Sequence, residues 1–231
     1  MELTKKIKLA PDETRILILG AQILLGFQFR AVFSDGYEEL PAPLRYLDGF
    51  AILPMICVVA LLISPGPYHR IVEDGEDSQS FHRLVTTIAN LALVPFAIAL
   101  GLDVVVAFGH LFGEVPGVAA GMAAAGVAIG FWYGFPLAKR RYSREKERTV
   151  KTRPTEKPSA TPLDVKIEKM LTEARVILPG AQALLGFQLA IVFTRSFADI
   201  PAVSMIVHAA SLLLVTLTVV LLQPLSAGTS V

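Results

Sequence analysis

The sequence predicts an all-α fold: a polytopic membrane protein of six transmembrane helices, built as a parallel internal repeat. Three observations carry that prediction. Apolar residues fill 53% of the 231 positions and charged residues only 18%, below the roughly 25% charged of a soluble domain. The charges crowd into the N-terminus, residues 70–83 and residues 139–175, with long apolar stretches between, the pattern of repeated bilayer crossings. The stretch Glu13-Thr14-Arg15-Ile16-Leu17-Ile18-Leu19-Gly20-Ala21-Gln22-Ile23-Leu24-Leu25-Gly26-Phe27-Gln28 returns 160 residues later as Glu173 to Gln188.

Residues 1–14 are polar, with Lys5, Lys6 and Lys8. Pro11-Asp12 predicts a helix start there, with Asp12 as N-cap. The first span covers about 15–33, close to the ~20 apolar residues a bilayer requires. Ser34 to Arg45 forms a short acidic loop. The second span, about 46–63, holds Pro54 as a kink site and ends at Ser64-Pro65-Gly66-Pro67. A polar loop, Tyr68 to Arg83, leads to the third span, about 84–108, which carries Asn90, Pro95 and Asp103. The fourth span, about 117–137, is rich in Gly and Ala. Small residues let helices approach closely in lipid, so this helix is expected at the tightly packed centre of the bundle.

Residues 139–161 form a basic, flexible linker. A short polar helix at 162–172 precedes the fifth span, about 175–193. The sixth span, about 202–222, closes at Gln223-Pro224. The expected organisation is a four-helix membrane unit (1–138), the linker (139–161) and a partial second copy (162–231).

Between residues 12–42 and 172–202, 14 of 31 positions are identical, including Glu13, Arg15, Gly20, Gln22, Gly26 and Gln28. Chance apolar similarity would not match these polar and small residues in register. Four spans separate the two copies, so both enter the membrane in the same direction, unlike the inverted repeats of many transporters. With the N-terminus inside, 18 of the 21 Lys and Arg fall on the inner side. The positive-inside rule therefore puts both termini of this multi-pass chain in the cytoplasm.

The repeated residues supply the candidate sites. On a helical wheel with Gln22 at zero, Arg15 and Gly26 fall within about 40°, while Gln28 lies about 120° away. A glutamine amide in hydrocarbon needs partners. Two readings are open: interhelical hydrogen bonding beside glycine contacts, or a polar intramembrane site lined by Gln22, Gln28, Gln182 and Gln188. Arg15 is expected to snorkel to headgroups. Arg30 lies about 22 Å along the helix from Arg15, and Asp103 about 30 Å from Arg83. Both should be near the outer interface, where they could pair or serve an ion path. The repeat puts Ala190 in place of Arg30, so the shared design does not need that charge.

Other chemistry is sparse. Cys57, the single cysteine, excludes an intramolecular disulfide and is expected to pack as a small apolar group. His69 and His82 flank Glu73, Asp74, Glu76 and Asp77 without metal-ligand spacing, and read as a solvated loop. No catalytic, cofactor-binding or metal-ligating set stands out. The cluster Lys139, Arg140, Arg141 and Arg144 offers a contact to anionic lipid at the inner face. A net charge of +1 gives no reason to expect nucleic acid.

The Glu13–Gln28 block, and the Pro65 to Arg70 element Pro-x-x-Tyr-His-Arg, resemble a family of bacterial integral membrane proteins known only as a domain of unknown function. The resemblance covers about 11–135 and, as a second copy lacking the Tyr-His-Arg element, 171–223. It implies a bacterial inner membrane and a four-helix unit, and supplies no activity. The expectation is a non-enzymatic helix-packing, scaffolding or oligomerising module in the lipid bilayer, with a homo-oligomer or membrane partner. The alternative is a small transporter or channel with a polar path along Gln22, Gln28, Gln182, Gln188, Arg30 and Asp103. A membrane enzyme using His69 and His82 ranks last.

Overall fold

The computed structural model describes residues 2–72, 79–134, 137 and 162–226. In chain order come α1 (Glu2–Val32), a 3-10 turn (Asp35–Glu39), α2 (Ala42–Ile63), α3 (Pro65–Val72), α4 (Gln79–Phe112) and α5 (Glu114–Ile129). A π-helical turn (Gly130–Gly134) continues α5. The chain ends with α6 (Pro162–Ile191), the single turn α7 (Arg195–Ala198) and α8 (Ala202–Ser226).

Among the described residues, five helical segments are long and apolar enough, by length and composition, to cross a bilayer: Arg15–Val32, Ala42–Tyr68, Arg83–Phe112, Glu114–Gly134 and Ala202–Gln223. Where the sequence predicts a fifth span at 175–193, α6 carries an apolar stretch that among the described side chains covers Ile177–Ile191. It forms the second half of one continuous helix beginning at Pro162, not a span after a separate polar helix.

Several expected boundaries move. α1 starts at Glu2, so Pro11 and Asp12 lie inside it. Proline removes one backbone hydrogen bond and does not always end a helix. The loop expected up to Arg45 shortens, because Pro41 sits at the N-cap of α2 and Pro43 within its first turn. The Ser-Pro-Gly-Pro stop does end α2 at Ile63. Beyond it the chain forms the short helix α3 and not a loop. The linker 139–161, with Lys139, Arg140, Arg141 and Arg144, lies outside the described residues. So do Glu73, Asp74, Glu76 and Asp77, and the side chains of Glu13, His69, His82, Glu173 and Arg175.

The bundle is centred on α4 and not on the glycine-rich α5. In the α4 span 72% of residues are buried, against 22% in the α5 span. One stripe of α5 makes the close approach the glycines promised. A Cβ on Gly117 would stand 2.6 Å from Gly109 Cα, and one on Gly121 would stand 2.4 Å from Gly101 O. Ala119, Ala123, Gly126 and Gly130, by contrast, face outward. Glycine permits intimacy on one side only; a centre needs contact all round, which α4 achieves with Ala92, Ala97, Ala99, Leu100, Val104 and Ala107.

α4 packs against α2 and α5, α1 against α2 and α6, and α6 against α8. The Trp132 indole of the π-helical turn donates to Val220 O of α8 at 2.7 Å and ties the first part of the bundle to the last. Lipid tails are as apolar as leucine, so close packing and hydrogen bonds hold such helices together. Cys57 is exposed, contrary to its expected packing role, and faces away from this core.

Candidate functional site

The most polar buried place in the bundle joins three helices. Gln28 of α1 and Asp103 of α4 are both buried. Gln28 Nε2 donates to both carboxylate oxygens of Asp103, at 2.9 and 3.0 Å, and leans toward Ala51 O of α2 at 3.5 Å. Asp48, one turn before Ala51, is also buried, with Oδ2 lacking a hydrogen-bond partner. Gln28 Oε1 is likewise unpartnered. Gln28, Asp48 and Asp103 line a cavity of about 10 Å³, the space of roughly one water. The 3-10 turn lies beside Asp48. There the Tyr37 hydroxyl donates to Arg45 O at 3.2 Å and lies against the Asp48 carboxylate. Burial first, and then the Asp48 charge, push the Tyr37 phenol above its ordinary value.

The expected pairing of Arg30 with Asp103 is absent. Arg30 is exposed, its guanidinium turned to Phe33 O at 3.5 Å, while Asp103 is held by Gln28. On the wheel Arg30 and Gln28 lie about 160° apart, so a partner inside the bundle is out of reach for the arginine.

Nor do the four glutamines share one site. Gln182 is fully buried between α6 and α8, where its Nε2 donates to Gln223 Oε1 at 3.2 Å. Its other face lies on Gly20 of α1. Gln188 donates to Ser211 Oγ of α8 at 2.8 Å, and its carbonyl meets His208 Nε2 at 3.2 Å. Gln22 is exposed on the outer side of α1. Of the six candidates, only Gln28 and Asp103 come together.

Sequence reasoning misses Asp48 because it sits near the start of an apolar run that reads simply as a span. The signal that could have found it is the repeat. Gln28 reaches toward position 51, and Gln188, 160 residues on, bonds to position 211. Tyr37 lies against Asp48; Phe197 packs edge-on against His208, with ring centroids 4.8 Å apart. Both contacts recur at the same offset of 160. Ser211 takes over as the partner of the second glutamine.

A larger cavity of about 800 Å³ lies at the other end, lined by Arg15 and Ile18 of α1, Leu62 of α2, Arg70 of α3 and Phe81 of α4. Its walls are mostly apolar. Among the described residues no group of three or more His, Cys, Asp or Glu could hold a metal ion.

Long apolar helices packed around a few buried polar contacts define the class: a helical, multi-pass membrane protein. Within that class the chain belongs to a family of unknown function, DUF6328, whose model matches residues 9–136 and 156–227. No curated protein and no solved structure matches the chain.

Proposed function

We propose that this chain is a six-span module of the bacterial inner membrane that works by packing and assembling, not by turning over a substrate. Residues 1–138 form a four-helix unit and 162–231 a partial duplicate, with both termini and the basic linker on the cytoplasmic side. Lys139, Arg140, Arg141 and Arg144 would hold the linker to anionic lipid. The fifth of the six spans is α6, which runs parallel to α1: Gly20 meets Gln182, Phe27 meets Phe187 at 6.4 Å between centroids, and Gly36 N donates to Phe193 O at 2.8 Å. The two-stretch family match and the contacts recurring at an offset of 160 support the duplication.

One observation carries the packing reading. Gln28, Gln182 and Gln188 each end in a separate helix–helix contact, as glutamines used for association in lipid do. A second reading rests on Asp103 and Asp48. Two buried carboxyls around a small cavity inside a membrane bundle are a starting point for proton or cation passage. Flux into proteoliposomes separates the two. The packing reading expects proton and sodium flux no greater than in empty vesicles. Flux that disappears in Asp103→Asn would replace it with the transport reading.

A further inference from the structure

α1 and α6 share their sequence motif yet meet through unlike faces. α1 offers Gly20 and Phe27, about 140–160° around the helix from Gln22. α6 offers Gln182 and Gly186, the counterparts of Gln22 and Gly26: a Cβ on Gly186 would stand 2.4 Å from the Phe27 ring. A contact between unlike faces of two related units is heterologous, so each unit keeps the other half of it unused.

The burial of the repeated residues shows both unused halves. Leu24 is 2% exposed and its counterpart Leu184 50%; Phe33 is 78% exposed and its counterpart Phe193 3%. Gly20 is buried and Gly180 exposed, whereas Gln22 and Gly26 are exposed and Gln182 and Gly186 buried. The outer face of α1 therefore repeats the chemistry of the inner face of α6, and the outer face of α6 repeats that of α1. Gln22 adds an independent sign that its face is covered. It lies about 10 Å along the helix from Arg15, near mid-bilayer, where an amide left to lipid is unfavourable.

We propose that these two faces belong together: the Gln22–Gly26 face of α1 receives the Gly180–Phe187 face of α6 from a second copy of this chain. Gly180 then lies beneath the Gln22 amide as Gly20 lies beneath Gln182, and Phe187 lies over Gly26 as Phe27 lies over Gly186. The interface deepens the assembling reading and rests on it, naming its partner and its geometry. Because it is heterologous, it makes a closed ring or an in-plane row of copies, not a two-fold dimer. Two features of the internal seam do not carry over. Arg30 replaces Ala190, and Ser196 replaces Gly36, where a Cβ would stand 2.5 Å from Phe193 O.

Thiol cross-linking in native membranes tests this. In a Cys57→Ala chain, Gln22→Cys and Gly180→Cys are placed in separately tagged copies and coexpressed; both positions are exposed, and a Cβ at Gly180 meets nothing within 4 Å. The expected result is a cross-linked dimer carrying both tags, at least tenfold above the product of either variant alone. Equal yields from Gln22→Cys alone, or no mixed product, would overturn the proposal. The mass of the untreated, detergent-extracted chain distinguishes the two failures. An oligomer without the mixed product overturns this interface only; a monomer overturns the assembling reading as well.

Discussion

The carboxamide of Gln182 lies on the backbone of Gly20, so close that a Cβ there would fall 1.5 Å from Oε1. Gln182 is fully buried and held by Gln223, so it has little room to retreat. Gly20→Ala should therefore cost about 1–3 kcal/mol, the range of overpacking. In single chains Gly26→Ala, with nothing within 4 Å of the added carbon, should stay within about 0.5 kcal/mol. Unfolding titrations in mixed micelles read both. Adding Gln182→Ala to Gly20→Ala should restore part of the loss, as a double-mutant cycle measures.

The α4–α5 contact should be less forgiving. A Cβ on Gly117 meets Gly109 N at 2.6 Å and Val105 O at 2.7 Å, both backbone atoms. Backbone cannot rotate aside, so Gly117→Ala should lower stability more than Gly20→Ala, while Gly130→Ala, facing open space, should change little. The same titrations check this order, and equal losses at Gly117 and Gly130 would contradict it.

Gln28 should matter where Gln22 does not. Gln28→Leu leaves the buried Asp103 carboxyl without its donor, a loss of about 1–3 kcal/mol. In detergent-solubilised single chains, Gln22→Leu should be neutral within about 0.5 kcal/mol. Thermal unfolding of the two variants side by side reads the contrast.

Tyr37 gives the fold an alkaline limit. Its phenol is held above its ordinary value by burial first, then by the charge of the neighbouring Asp48 carboxylate. A group whose folded pKa is raised contributes stability that is full below its unfolded value of about 10 and is lost as pH rises through the folded value. Stability should therefore fall on the alkaline side through this residue, and Tyr37→Phe should flatten that limb without changing behaviour near neutrality. Identical alkaline limbs in the two proteins would contradict the assignment.

Much of the helix plan could be read from the residues, because charge-free runs and the Ser64–Pro67 stop act locally. Azimuth could not. The wheel puts Arg15, Gln22 and Gly26 on one face but does not say which neighbour that face meets. The same face is outward on α1 and inward on α6. For the same reason the sequence points to α5 as the centre. Its glycines reveal a close contact, but not that the contact is confined to one side. Of the candidate polar residues, Gln28 and Asp103 meet across 75 positions of sequence. Arg30 stays apart because its side chain leaves the opposite side of α1. Asp48 is inconspicuous within an apolar run, and only its contacts with neighbouring helices make it notable.

The central claim is that α6 crosses the bilayer parallel to α1, so that the turns after the two helices emerge together. Single cysteines in a Cys57→Ala chain test it: Asp35→Cys after α1 and Ser196→Cys after α6, both exposed positions. Each is probed with a membrane-impermeant maleimide in intact cells and in inverted vesicles. The account predicts that both label from outside intact cells and neither from the cytoplasmic face; labelling of Ser196→Cys from the cytoplasmic face, with Asp35→Cys outside, would contradict it.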